Sequence, residues 1–316
     1  MNQTDISIIR SVSINDTDSN GGRCDLASTV VSGVKFNLFP RVTSSERESG
    51  ITRYRKAYIL NKNSNGETAY GACVGIGMPG SGQDRFYIAP ADHEDTQADV
   101  PSQWTGCGRL SLSASAGDTS VSVLFKSSDY SIPEGALLLI QDDEKSCNAR
   151  VASVTKNVNT AAVTLEGQLP HSFDSEDTYV GVMLELGDLA PELESAEISS
   201  LTGGFDRTKV VLSNGGTEFD TFSLTFTSAF AFTASGFYAG NLPSGQITAQ
   251  YSPVNPKTGK PYFTIPSACW SGAFEAGNSV TLVTLPSAKG FWLKEVVPAG
   301  CPHEPDNRIT LDWQID

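Results

Sequence analysis

Short runs in which apolar and polar residues alternate recur along almost the whole chain, and they predict strands. From Thr52 to Leu60 the residues Tyr54, Tyr58 and Leu60 share one side with Lys56 among them, and the turn-rich Asn61–Gly66 ends the run. Val121 and Val123 alternate with serines after the Gly117-Asp118 turn. Ala136–Ile140 is wholly apolar, Arg150–Thr155 alternates again, and Ala161–Leu165 and Tyr179–Leu184 follow. Five short strands at this spacing predict a small antiparallel barrel or sandwich over residues 109–187. Further on, Lys209–Leu212 precedes a run in which Phe222, Leu224 and Phe226 alternate with polar residues, the pattern of a half-buried strand. Tyr262–Ile265, Ser279–Leu285 and Phe291–Val297 read as strands ended by Pro266, Pro286 and Pro298. Ile309, Leu311, Trp313 and Ile315 alternate in a closing strand, either in this domain or added to a neighbour's sheet edge.

The expected fold is therefore all-β, with antiparallel sandwiches, a small barrel in the middle and an extended N-terminal arm. The arm covers residues 1–33, where DTDSNGG at 16–22 breaks regular structure. Residues 34–108 form an N-terminal β region expected to pack with the C-terminal domain, and 188–316 a C-terminal β-sandwich. Gly187–Glu197 is polar and reads as the linker between barrel and sandwich. Thr43 and Glu46 have the spacing of a capping box, so one short helical turn is expected before Gly50.

Composition narrows the class. With 39% hydrophobic and 18% charged residues among 316, the chain can bury real cores. No run approaches the ~20 apolar residues of a membrane helix, and MNQTDISIIRSVS lacks the basic and apolar blocks of a secretory signal. No membrane association is expected. The net charge of −14 disfavours wrapping of nucleic acid, and no direct sequence-specific nucleic-acid binding is expected. Charge is uneven, with seven basic residues against two acidic ones from Lys35 to Lys62, and fourteen acidic against three basic from Asp129 to Glu197. This reads either as two solvated faces or as complementary faces that draw copies together.

Candidate chemistry is sparse. Gly75, Gly77 and Gly80 make a GxGxxG, but Pro79 stands where a phosphate-binding helix would begin, so a strand packed closely on its neighbours is expected. His93 lies in an acidic loop with Asp92, Glu94, Asp95 and Asp99, without the pattern of a calcium loop. His171 and His303 sit in turns, and no GxSxG, HExxH or P-loop occurs. No catalytic, cofactor or metal residue is assigned, and no enzyme is expected. Cys24, Cys73, Cys107, Cys147, Cys269 and Cys301 are too widely spaced for a zinc ribbon, leaving buried thiols or disulfides within or between copies. Arg53, Arg55, Lys56, Trp270, Trp292 and Trp313 are candidate assembly contacts.

Two regions carry a family resemblance. Asn255-Pro-Lys-Thr-Gly-Lys-Pro-Tyr-Phe-Thr264, followed by a Gly/Trp-rich stretch, Ala276-Gly277, Trp292 and Val296-Val-Pro-Ala-Gly300, is similar to a segment of structural proteins of tailed bacteriophages. Gly21-Gly-Arg23, Ser32-Gly-Val-Lys35, Leu38-Phe-Pro40, Thr52-Arg-Tyr-Arg-Lys56 and Thr96-Gln-Ala-Asp99 resemble the N-terminal part of the same proteins. The chain departs at Asn278, where the pattern has Asp, and at Cys269 and Cys301, where small residues are expected. These cysteines suggest a version reinforced by bonds between copies. The resemblance implies a non-enzymatic virion component assembled in the bacterial host cytoplasm. Most simply it is a neck or collar protein at the head–tail junction, in a symmetric ring of its own copies and touching connector, tail or collar components. A baseplate or tail-tip protein and a glycan-binding fibre module are the alternatives; the latter requires exposed Trp and Tyr within 251–300.

Overall fold

The computed structural model describes residues 2–316. Half of the chain is strand and 6% is helix, in antiparallel sheets, as the alternation predicts. Residues up to Ala91 supply β1 (Ile6–Ser13), β2 (Gly21–Thr29), the helix α1 (Ser44–Ser49), β3 (Ile51–Asn61), β4 (Ala69–Met78) and β5 (Arg85–Ala91). There follow β6 (Thr105–Leu110), β7 (Ser120–Leu124), β8 (Leu137–Gln141), β9 (Ser146–Asn157), β10 (Thr160–Leu165) and β11 (Tyr179–Leu189). Next come β12 (Glu192–Ile198), β13 (Gly203–Phe205), β14 (Val211–Leu212), β15 (Asp220–Phe226), β16 (Ala231–Gly236) and β17 (Gly240–Gln246). The chain ends with β18 (Phe263–Thr264), β19 (Trp270–Gly272), β20 (Ser279–Leu285), β21 (Ala288–Val297) and β22 (Thr310–Gln314). Among the described residues no helix is long and apolar enough to cross a membrane.

The first body is a sandwich. One layer runs β2-β1-β3-β21-β5 and the other β11-β4-β22, with β6 paired to both β5 and β11. Ala57, Phe291, Leu293 and Ile88 of the first layer meet Val74 and Ile76 of β4 in the interior. The other side of the first layer is covered too. Trp292, Tyr87 and Ala89 belong to the core of the adjoining barrel, and Tyr58 and Leu60 pack with Ile9, Cys24 and Leu26. Arg53, Arg55 and Lys56 of β3 and Glu295 of β21 are thereby enclosed, although they point to opposite faces.

The barrel is a ring of six strands, β6-β7-β10-β9-β8-β11 and back to β6. Closure leaves no free edge within it, and Val121, Val123, Leu138, Ile140, Val163 and Val180 fill the inside. The expected five strands are present, and β6 completes the ring. In the third body the sheet β12-β20-β15-β16-β17 turns Phe222, Leu224, Phe226, Phe232, Val280 and Leu282 inward. Two short ribbons, β13-β19 and β14-β18, help cover that face.

Local signals held where they concern one element. Thr43 caps α1, accepting from the Glu46 amide while the Glu46 carboxylate accepts from the Thr43 amide, and Gly50 leaves the helix at φ 76°. Gly75 and Gly77 sit in β4, where a Cβ on Gly75 would lie 2.8 Å from the Val182 carbonyl oxygen, so the glycines serve close strand packing.

Three expectations about organisation are corrected. Residues 6–29 are a bulged hairpin whose β1 pairs with β3 from Ile6↔Asn61 to Arg10↔Ala57, so this segment is sheet and not an extended arm. Gly187–Glu197 is not a loose linker: β11 runs to the fully buried Leu189, and β12 begins at Glu192. Nor does the third body extend to the C-terminus. After β20 the chain returns to the sandwich, where β21 lies between β3 and β5 and β22 pairs with β4. Long-range pairing decides all three, and it leaves no mark in local periodicity.

One turn is strained. Asn157 pairs with Thr160, so Val158-Asn159 is a two-residue hairpin loop, and Val158 takes φ 52°. That conformation favours glycine or asparagine, and a β-branched side chain is penalised by about 1–2 kcal/mol. The side chain is 72% exposed, so burial offsets little of this. Val158→Gly should therefore stabilise the chain by about 1 kcal/mol, read as a higher urea midpoint with an unchanged slope.

Candidate functional site: a polar joint between sandwich and third body

The polar chemistry of the chain collects where β2, β3 and β21 meet the loop after β5 and the third body. Lys56, on a strand covered on both faces, is 2% exposed. Its Nζ donates to the carbonyls of Asp92 (2.5 Å), Asp95 (2.9 Å) and His93 (3.3 Å), and it lies over the rings of Tyr58 and Trp292. Burial pulls the ammonium down to about 8, against the pull of Asp95 and the buried Cys24. The Tyr58 hydroxyl donates to the carbonyls of Gly22 (2.6 Å) or His93 (2.9 Å), tying β3 to β2 and to the same loop.

Gly21, at φ 108°, lies against the Trp292 ring, and a Cβ there would come 2.7 Å from Cη2 of that ring. Its neighbour Asn20 donates to the Tyr54 carbonyl (2.9 Å) and to Gln97 Oε1 (3.1 Å), while the Gln97 amide donates to the Asn20 carbonyl. The TQAD segment is thus clamped to the start of β2. His93 stacks between Tyr58 (6.3 Å) and Phe219 of the third body (5.9 Å, 3° between planes). Burial, with Lys289 and Lys56 nearby, lowers its imidazole to about 4.

Glu218 joins the two bodies directly. It is 3% exposed, and its carboxylate meets Arg23 of β2 at 2.9 Å and Lys257 at 3.1 Å. It also accepts from Asn255 Nδ2 at 3.0 Å, and its carbonyl accepts from the Thr284 hydroxyl at 2.6 Å. Arg23 lies 4.5 Å from the Tyr238 ring centre, and the Tyr238 hydroxyl donates to Glu94. Sequence reasoning missed Glu218, although a signal was present. Glu218 and Asp220 share the parity of Phe222, Leu224 and Phe226, so acids continue the inward-facing row of a strand.

A second buried pair lies inside the sandwich. Arg53 and Glu295 are direct cross-strand partners in the β3–β21 register, with Nη2 and Nε of Arg53 at 2.5 and 2.8 Å from Glu295 Oε2. Burial pushes the Glu295 carboxyl up to about 7, with Arg53 pulling the other way.

These positions correct the candidate assembly contacts. Arg53, Arg55, Lys56 and Trp292 are buried inside the chain and do not offer their side chains to another copy. Arg55 donates to Asp16 at 2.6 Å and to the Leu38 carbonyl. Three of the seven charges of the basic run are thus buried with internal partners, and Lys35 pairs at the surface with Asp306. Trp270 is half-buried among Phe205, Phe226, Phe232 and Phe274, and Trp313 half-buried beside the sandwich interior. All six cysteines are free thiols, and only Cys147 is not buried. Burial raises the Cys24 thiol to about 12, which suppresses the thiolate needed for exchange.

At the joint the geometry supports rigid attachment. Lys56 holds three carbonyls of the loop after β5, Glu218 holds partners from β2 and from the turn at 255–257, and His93 presents its ring faces to aromatic rings on both sides. The chain matches no family model, no curated protein and no solved structure.

Proposed function

We propose that this chain is a non-enzymatic structural component of a tailed-bacteriophage particle, placed as a ring-forming neck or collar protein at the head–tail junction. One observation carries the reading: the segments that bear the resemblance are the ones that build the buried joint. Gly21 meets Trp292, Arg23 meets Glu218, which Asn255 and Lys257 also hold, and Lys56 caps the loop leading to Thr96, while Arg53 of the same segments pairs with Glu295 inside the sandwich. Residues spent on internal attachment fit a scaffold that holds a fixed shape. The glycan-binding alternative asked for exposed aromatics within 251–300; Tyr251, Tyr262 and Trp292 are buried and Trp270 is half-buried, which favours the scaffold reading over it.

Mass spectrometry of purified particles, with immunogold labelling, tests this. The chain should be found in multiple copies per particle with label at the head–tail junction. Label at the distal end of the tail would move it to the baseplate, and absence from purified particles would sink the proposal.

A further inference from the structure

Two residues other than glycine have a left-handed backbone among the described residues, Phe36 (φ 60°) and Val158 (φ 52°). Both are large apolar side chains held in water, Phe36 at 62% exposure and Val158 at 72%. Strain kept at an exposed apolar residue is unfavourable for the isolated chain, and a reason is to be sought in what the side chain touches elsewhere.

Phe36 does not stand alone. Val31 and Val34 in the same loop are 56% and 55% exposed, and the Val34 amide turns back to the Val31 carbonyl. The loop is pinned from beneath: Arg10 donates to the carbonyls of Asn37 and Thr29, Arg55 to that of Leu38, and Leu38 and Phe39 pack on the sandwich interior. Its exposed apolar group is therefore presented on a fixed base. Lys35, in a solvent-exposed ion pair with Asp306 at 3.3 Å, and Arg41 flank it, and there is no acid along the chain between Asp25 and Glu46.

The barrel offers the opposite surface. Ten of the eleven carboxylates from Asp129 to Asp188 are exposed. The three cations of that stretch are already engaged: Arg150 with Glu185, Lys145 with Asp142, and Lys156 with the carbonyls of Ser128 and Tyr130. The barrel also bares Val158 and Leu124.

We propose that the loop of residues 31–41 is a docking element that seats on the acidic barrel of a second copy of this chain. The apolar side chains Phe36, Val34 and Val31 supply contact area, and Lys35 and Arg41 meet the barrel carboxylates. Each chain carries both halves of the contact, so the association is head-to-tail and closes where the rotation per copy permits a ring. The proposal rests on the ring reading above and assigns the surface for it.

The test uses the full-length chain in sedimentation velocity and native mass spectrometry, at low and high salt. The unaltered chain should form oligomers that weaken as salt rises. Phe36→Asp should raise the dissociation constant about tenfold or more; Asp tolerates the left-handed backbone better than Phe, so its melting temperature should not fall. Lys35→Glu with Arg41→Glu should weaken assembly and flatten its salt dependence. Carbodiimide cross-linking of an isotope-mixed sample should join Lys35 to barrel carboxylates of the other copy. Oligomers of Phe36→Asp as strong as those of the unaltered chain, or cross-links that map elsewhere, overturn this surface and leave the ring reading standing. A chain that stays single at every concentration overturns the docking proposal, and its presence in particles then decides the structural reading separately.

Discussion

Arg53→Met should cost about 3–5 kcal/mol of stability at pH 8, because it leaves the Glu295 carboxylate buried without its cation. Replacing the whole pair is a different matter. Arg53→Met with Glu295→Leu removes both desolvated charges and should come out neutral or more stable than the parent by up to about 4 kcal/mol. The cost of the single change should shrink at pH 5, where the orphaned carboxyl takes up a proton. In the parent, Glu295 titrates near 7, above the ordinary glutamate value of 4.5. Its native state therefore holds a proton that the unfolded chain has released, and its contribution is full below 4.5 and lost as pH rises through 7. His93 acts in the opposite sense. Held near 4 against an ordinary 6.5, it withdraws stability as pH falls through that window. Glu295→Gln isolates the two, since it should leave only the acid-side loss. Urea titrations at pH 5, 6.5 and 8 read the parent and the three variants, and an Arg53→Met cost below about 1 kcal/mol at pH 8 would show that the pair is not enclosed.

Why Arg53 reads as a surface residue in the sequence is instructive. The alternation through Thr52–Leu60 correctly assigns β3 and its two faces, but not what covers each face. A polar row opposite an apolar one normally points to water. Here the barrel, the Gly21–Gly22 end of β2 and the third body lie on one side of the layer and β4 with β22 on the other, so both rows are enclosed. The partner that neutralises Arg53 is 242 residues away along the chain. The same limit hides the return of β21 into the sandwich. Phe291–Val297 is legible as a strand, while its place between β3 and β5 depends on pairing across the whole chain. Where structure is local, legibility is high: β20 spans Ser279–Leu285 as the alternation gives it, and the capping box places α1. The prolines and glycine that follow Asn255 mark a turn in the sequence. That Asn255 bonds to a buried carboxylate is not legible there, because Glu218 becomes a joint residue only when β2 supplies Arg23.

Trp292→Ala should be the most damaging single truncation, at about 3–5 kcal/mol. The ring is fully buried, lies in the barrel core with Tyr87 and Trp104, and has Lys56 near its face. Removing it opens a cavity between sandwich and barrel, and β2 and β3 beside it are fixed by hydrogen bonds and cannot collapse into it. The same contact can be attacked from the other side. A methyl group on Gly21 would press on the Trp292 ring at 2.7 Å and on the Asp95 carbonyl oxygen at 2.8 Å, in a conformation already unfavourable for an L side chain. Gly21→Ala should therefore cost about 2–4 kcal/mol, from left-handed strain and overpacking together. The two changes touch one another, so their costs should not add. In a Trp292→Phe background the ring atom nearest Gly21 is gone, and the Gly21→Ala cost should drop by about 1 kcal/mol or more while the strain and the Asp95 clash persist. A double-mutant cycle on urea unfolding measures that coupling. A coupling of zero would mean that Gly21 is required for its backbone angle and its approach to the Asp95 carbonyl, and that the close approach to Trp292 contributes nothing to holding the hairpin on the sandwich.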